Sequence, residues 1–292
     1  MVATFLGAFP LVVSTVMMRW RRREAESEVA VLNSRRKEAL DLATSALRQT
    51  TARLSADRDL LGRIAFLYDQ PALARSASFS PAEGADSGLL AATESELERL
   101  RRTLRKLEAV ESLHPEWPLQ SPSVSPVPES ALVPTGAFGW TISRLTGERE
   151  FIAGVDFASP AGHPVFATAD GIVRWAGSFP IRPGSPYGHL GRIVAIRHGD
   201  RAVTVCGYLE SVQVRRGQIV RRGDRVGTVG VSPWVAAPRL RFEVWRLTGA
   251  GAIPIDPRLA MLNVSGPDVA PALRLALRGT PRNVPELPAE FR

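Results

Sequence analysis

Val214–Gly230 reads VRRGQIVRRGDRVGTVG, with valine or isoleucine recurring among Gly217, Gly223, Gly227 and Gly230. Short β-branched runs cut by glycine suit tight turns in a small sandwich or barrel, where glycine supplies a positive φ at little cost. The flanking sequence keeps the same rhythm. Pro164–Ala167, Gly171–Ala176, Arg192–Ile196 and Arg201–Val205 are all short apolar runs bounded by turn residues. A turn signal about every ten residues predicts an antiparallel all-β domain, here spanning residues 137–264. Within it, Arg239-Leu240-Arg241-Phe242-Glu243 alternates with period two, so Arg239 and Arg241 share one face of a strand.

The chain before this domain has a different character. Residues 1–18, MVATFLGAFPLVVSTVMM, carry no charged side chain. At about 1.5 Å per residue they would reach roughly 27 Å as a helix, and Trp20 would extend them to an interface. No basic segment precedes them and no small-residue cleavage site follows, which disfavours a removed signal peptide. Residues 1–20 are therefore expected to form a retained transmembrane anchor contacting the lipid bilayer, in preference to a buried helix. Arg19, Arg21, Arg22 and Arg23 follow directly. The positive-inside tendency would keep them in the cytoplasm, which opposes a periplasmic position for the rest of the chain.

Residues 21–113 are expected to be a helical stalk. Leu40, Leu47, Leu54 and Leu61 recur every seventh residue, but Ala43, Thr50 and Asp57 beside them make a poor seam. A Pro-, Ala-, Ser- and Gly-rich loop is expected over 69–88. A second helix follows over 89–113, where Leu90, Leu97 and Leu104 interleave with Leu100 and Leu107. The pair is expected to form either an antiparallel helical hairpin or a dimeric coiled coil. Six prolines make residues 114–136 an extended linker, and residues 265–292 form a tail rich in proline and arginine.

The net charge of +8 invites a nucleic-acid reading, but only Lys37 and Lys106 are lysine and the arginines are scattered. No basic cluster interleaved with aromatics appears, so no nucleic-acid partner is expected. The single Cys206 excludes an intrachain disulfide and a cysteine metal cluster.

Two families share the glycine rhythm. A biotinyl or lipoyl carrier domain needs a lysine at a hairpin tip, and no lysine follows Lys106. The lysostaphin or LytM-type zinc peptidases, which cut peptidoglycan cross-bridges, match far more. The resemblance runs through FGW at Phe138–Trp140, AGVD at Ala153–Asp156 and GHPVFATADGIVRWAG at Gly162–Gly177. It continues through YGHLGRIVAIRHG at Tyr187–Gly199, VTVCGYL at Val203–Leu209 and RLRFEVW at Arg239–Trp245. The implied architecture is an α+β chain: transmembrane helix, helical hairpin or coiled coil, then an all-β antiparallel LytM-type, barrel-sandwich-like domain.

The resemblance also implies a zinc site, and this chain departs from it. The family's first two zinc ligands fall on Ile152 and Asp156, and the third on Arg241. Its catalytic histidines fall on Arg239 and Tyr208. Asp156 remains, with Glu243 beside it. A guanidinium stays protonated and offers only donors, so it cannot bind a cation. One carboxylate is too little for a catalytic zinc, which needs about three protein ligands and an open position. The resemblance therefore implies a pseudoenzyme with no metal and no cofactor. Of the four histidines, His163 and His189 with Asp156 could in principle form a relocated site; His114 and His198 lie outside it. Asp156 is expected either to bridge to Arg241 in place of the metal or to leave both arginines solvated in an open groove.

Anchor, stalk and altered domain together resemble the non-catalytic LytM factors of bacterial envelopes. The implied role is an inner-membrane scaffold or regulator that binds other proteins, for example activating a cell-wall amidase. The alternatives are a structural subunit of a larger membrane complex and peptidoglycan binding without cleavage.

Overall fold

In the computed structural model, the residues described are 8–78, 89–128, 133–134, 138–143, 147–181, 187–231, 237–262, 269–277 and 284–292. Helix α1 (Ala8–Leu67) is followed by α2 (Pro71–Ser78), α3 (Leu89–Leu113) and α4 (Trp117–Gln120). The β region comprises β1 (Val133–Pro134), β2 (Gly139–Ile142), β3 (Arg149–Ile152), β4 (Gly154–Ala158), β5 (Pro164–Phe166) and β6 (Gly171–Ser178). It continues with β7 (Arg192–His198), β8 (Ala202–Val212), β9 (Ile219–Val220), β10 (Arg225–Val229), β11 (Arg239–Thr248) and β12 (Gly251–Ile255). Two short helices close the chain, α5 (Pro257–Ala260) and α6 (Val269–Ala276).

The strands bear out the antiparallel β expectation. Ten of them join one sheet in the order β1-β4-β11-β8-β7-β6-β9, with β10 on β5 and β8, and β12 on β11; β2 and β3 form a separate pair. Strand β8 is the axis. Ala202–Leu209 are all buried because β11 and β7 flank the strand and side chains cover both faces. Such a strand reads as a continuous apolar run, AVTVCGYL, rather than an alternation. Its outer half changes partner, from β11 up to Gly207 to β10 from Leu209 onward. Tyr208 takes up the turn with a φ of 61°, a left-handed conformation costing on the order of 1 kcal/mol for a residue with a Cβ.

The glycine repeat does two jobs. Gly217 and Gly223 have φ of 84° and 88°, as tight turns require. Gly227 and Gly230 instead permit close approach: a Cβ would lie 2.4 Å from the Ser211 carbonyl oxygen and 2.5 Å from the Glu210 nitrogen, respectively.

The helical region departs from the expected hairpin. Arg58 on α1 lies 3.7 Å from Glu96 on α3, and ten residues further on Tyr68 donates a 2.6 Å hydrogen bond to Glu111. Contacts that advance along both helices in step mean that α1 and α3 run in the same direction. Helix α2 stands in part of the expected loop, and residues 79–88 of that loop lie outside the described residues. Among the described side chains of α1, packing is confined to the C-terminal part. From Leu61 onward the helix is largely buried, whereas Val31, Leu32, Leu40 and Leu42 are exposed.

Arg63 fastens α1 to the β-domain. Its guanidinium is buried and donates to the carbonyls of Leu259 (3.1 Å), Arg258 (2.9 Å) and Met261. These are carbonyls at the C-terminal end of α5, which have no partner within the helix and favour a cation. Arg201 stacks on Trp117, 3.7 Å from its ring centre, and donates to the Leu67 carbonyl. Residues 114–128 accordingly lie against the domain rather than separating it from the helices, with Ser121, Ser125 and Val127 buried. The tail is packed too, through the buried Leu273, Leu287 and Phe291.

No helix among the described residues is long and apolar enough to cross a membrane. Residues 1–7 of the expected anchor lie outside the described residues, and Ala8–Met18 would span only roughly 16 Å, so the transmembrane expectation is not met by what is described.

Candidate functional site

Strand β11 builds the site. Its alternation places Leu240, Phe242 and Val244 on one face, all fully buried, and Arg239, Arg241, Glu243 and Trp245 on the other. The register with β4 sets Arg241 opposite Asp156 and Glu243 opposite Gly154. The same strand pairs Arg241 with Gly207 of β8, next to Tyr208. Four of the residues singled out from the sequence, Asp156, Tyr208, Arg241 and Glu243, thus converge through two strand pairings.

Asp156 and Arg241 are in contact. Nε of Arg241 lies 2.7 Å from Oδ1 of Asp156, and Nη2 donates to Oδ2 at 3.4 Å. The shorter contact is an ion pair in which the N–H points off the line to the oxygen. Arg239 stands further out, with Nη1 3.6 Å from Oδ2. Asp156 is only 6% exposed, so this carboxylate is held by guanidinium groups rather than by water. Burial works against the Arg241 charge, but Asp156, Tyr208 and Glu243 outweigh it and raise the guanidinium pKa further. The Arg241 guanidinium carbon lies 5.9 Å from the centre of the Tyr208 ring.

Glu243 sits deeper, in a network of its own. Its Oε2 accepts from Tyr187 Oη at 3.0 Å and from Trp245 Nε1 at 2.8 Å. Burial pushes the Glu243 pKa up, while Arg241 and the two donors oppose the shift. Tyr187, buried against that carboxylate, is itself pushed well up. Neither Tyr187 nor Trp245 was singled out from the sequence as a site residue. Trp245 was accessible to the same period-two argument, being two residues from Glu243; Tyr187 is distant in sequence and carried no such signal.

Above this layer lies a cleft of about 290 Å³ lined by Ile152, Tyr187, His189, Arg241, Glu243 and, from the tail, Pro285. Ile152, at the end of β3, therefore faces the same space as Arg241. His189 stands at the mouth, 6.5 Å from Tyr208 between ring centres. Its pKa is lowered by partial burial and by the Arg241 charge.

The remaining histidines are placed elsewhere. His198 is fully buried between the Asp170 carbonyl and Thr204 Oγ1, both at 2.8 Å. His114 stacks on Trp117, and His163 lies 3.4 Å from Ser159 Oγ. Among the described residues no three of His, Cys, Asp and Glu converge to hold a metal ion. The donor set at the expected zinc position tests the same point chemically. Ile152 offers hydrocarbon, Asp156 offers oxygens already faced by Arg241, and Arg241 offers only N–H groups. These residues do not fit a zinc ion, which needs three protein ligands.

The fold and cleft define an antiparallel β-domain with a polar cleft at one end of the sheet. Residues 150–257 match the model of peptidase family M23. Among curated relatives, the cell division protein DipM of Caulobacter vibrioides is 31% identical over 138 residues, 43% of this chain and 21% of that protein. Peptidoglycan DD-endopeptidase ShyA of Vibrio cholerae is 35% identical over 91 residues, 31% of this chain and 19% of that protein. A solved zinc-containing peptidase from Vibrio cholerae shares 27% identity over 43% of this chain and 37% of that chain, with a TM-score of 0.37. The chain spans about a fifth of the length of these two curated relatives.

Proposed function

We propose that this M23 domain has lost hydrolysis and works by binding other proteins in the bacterial cell envelope, as a scaffold or regulator. The observation that carries the reading is the Arg241 guanidinium set against Asp156 at 2.7 Å, where the family's third zinc ligand would stand. A fixed cation there repels a metal ion, and Tyr208 and Arg239 supply no imidazole to move protons at the two catalytic positions. Activation of a cell-wall amidase is one form such binding takes. The names of the relatives, a cell division protein and an endopeptidase, support the envelope setting. The apolar start of the chain supports attachment to the inner membrane with the domain in the periplasm, although Arg19–Arg23 oppose that sidedness.

Zinc content and digestion of purified peptidoglycan test the loss of hydrolysis together. The purified chain is expected to hold well under one zinc per molecule and to release no muropeptides. Ile152→His combined with Arg241→His rebuilds a three-ligand set with Asp156 and is expected to bind zinc near one to one. Stoichiometric zinc and cleavage by the unaltered protein would refute the reading.

A second reading, a structural subunit of a larger membrane complex, draws on the N-terminal part of α1. Val31, Leu32, Leu40 and Leu42 are 49–72% exposed there, an apolar display that a permanent neighbour would cover. A stoichiometric partner co-purifying in detergent supports it.

A further inference from the structure

A second cavity among the described residues is larger than the cleft over Arg241. It measures about 550 Å³ and lies where β6, β9 and the turn at Gly199–Asp200 meet. Residue pairing puts it at the other end of the β7–β8 hairpin: His198 pairs with Ala202 beside the cavity, whereas Arg192 pairs with Leu209 beside the cleft. The two sites share no lining residue.

Three arginines face this cavity, and they differ in what satisfies them. Arg197 is committed: its Nη2 donates to Asp200 at 2.7 Å and its Nε to the Gly199 carbonyl at 2.9 Å. The other acid in the lining, Asp170, has its Oδ1 taken by the backbone N–H of Arg222. Arg174 has no ion pair or hydrogen bond among the described residues, although its Nε is shut off from solvent. Leaving a buried donor unsatisfied costs about 1–3 kcal/mol, more for a charged group, so such a group calls for an acceptor. Arg221 on the rim likewise makes no side-chain ion pair among the described residues. The local balance is a positive charge held at an apolar wall.

That wall is also uncovered. Ile219 is 76% exposed and Ile172 47% exposed, adjacent across the β6–β9 pairing. Strand β9 ends the sheet order, so its far edge is unpaired among the described residues. A small anion would satisfy Arg174 but leave both isoleucines in water. An extended segment carrying a carboxylate between apolar residues does both, and it can lie along the open strand edge.

We propose that the cavity between β6 and β9 docks an acidic, apolar segment of a partner protein, its carboxylate received by Arg174 and Arg221 and its apolar side chains by Ile172 and Ile219. The site is independent of the metal position and would serve a hydrolytic or a non-hydrolytic domain equally. The test is calorimetric titration of the full chain in detergent with capped seven-residue peptides alternating leucine with aspartate, and with their asparagine counterparts. The aspartate peptide is expected to bind below roughly 100 μM and at least about tenfold more tightly than the asparagine peptide, a difference near 1.4 kcal/mol. Arg174→Met should remove that preference. Ile219→Ser, at a side chain standing mostly in water, should weaken binding about fivefold without affecting folding, and Arg105→Ala on α3 should change nothing. Equal affinity for both peptides, no aspartate-peptide binding up to roughly 1 mM, or binding untouched by both variants would overturn the proposal. So would preferential binding to phosphatidylglycerol vesicles lost in the same variants, which would assign the patch to a lipid surface.

Discussion

Replacing Arg241 by methionine isolates the contact that distinguishes this domain. Methionine keeps the straight chain and apolar stem but removes the guanidinium, so packing changes little while Asp156 loses its nearest cation. Removing one partner of a buried ion pair costs about 3–5 kcal/mol, because the other charge is left in a poorly solvated place. Here Asp156 is 6% exposed and the Arg241 side chain 13% exposed, which places the pair in that regime. Arg239 remains at 3.6 Å and takes over part of the carboxylate, which moves the expected loss to the lower end, about 3 kcal/mol. For a cooperative unit of this size that is a fall in Tm of roughly 6–12 °C. Urea unfolding followed by tryptophan emission measures it, with Trp245 as the local reporter. Adding Asp156→Leu to Arg241→Met should restore most of the stability, since an apolar pair of similar volume replaces the ionic one. A single variant within about 0.5 kcal/mol of the unaltered protein would show that water, not Arg241, solvates Asp156.

Three further outcomes follow from other buried groups. His198 has its pKa lowered to about 4, chiefly by burial, so the unfolded chain takes up a proton near pH 6.5 and the folded chain does not. Stability should therefore fall as pH drops from about 6.5 through 4, by up to about 3 kcal/mol, and His198→Gln should flatten that slope in pH-dependent unfolding even if it lowers the plateau. Glu243 shifts the other way: its raised pKa, caused first by burial, means its contribution is full below the ordinary carboxylate range and is lost as pH rises through the raised value. Glu243→Gln should thus compare best with the unaltered protein at neutral pH and worst near pH 4, and the reverse order in paired unfolding curves would contradict the assignment. Arg63→Met should release α1 from α5 at a cost of about 3 kcal/mol for its buried charged hydrogen bonds, seen as faster proteolysis between residues 54 and 70 with the β-domain intact.

Much of the β-domain was legible because its signals are local. Glycines at tight turns and β-branched runs between them mark strands wherever they pair, and period two fixes which side chains of β11 share a face. The alignment of Arg241 with Asp156 also followed from the family pattern, since β4 and β11 adjoin by register. The helices were legible singly but not as a pair. Leucine spacing gives a helix its stripe and says nothing about direction, which is set by contacts between distant residues such as Tyr68 with Glu111. Residues 114–128 misled for a related reason. Proline content predicts an extended backbone, which is present, but not whether it is pinned, and the pins are Trp117 under Arg201 and Val127 in the core. The tail's docking through Phe291 had no periodic signal at all.

The two ends of the sheet therefore carry opposite electrostatic conditions, and this bears on where such a domain can bind a partner. At the cleft, Arg241 is neutralised by Asp156 at contact distance, so the strongest local charges cancel and bind each other. At the β6–β9 end, the half-buried Arg174 keeps an Nε with no hydrogen-bond partner. Binding energy comes from groups that gain a partner on association, whereas a satisfied ion pair must first be broken. Placing a partner at the old cleft would have to rely on shape and on the uncharged surface of Ile152 and Tyr187, while the far end offers an unmet donor beside bare isoleucine. A partner survey that mutates only the inherited cleft would for that reason sample the end of the molecule with less to gain.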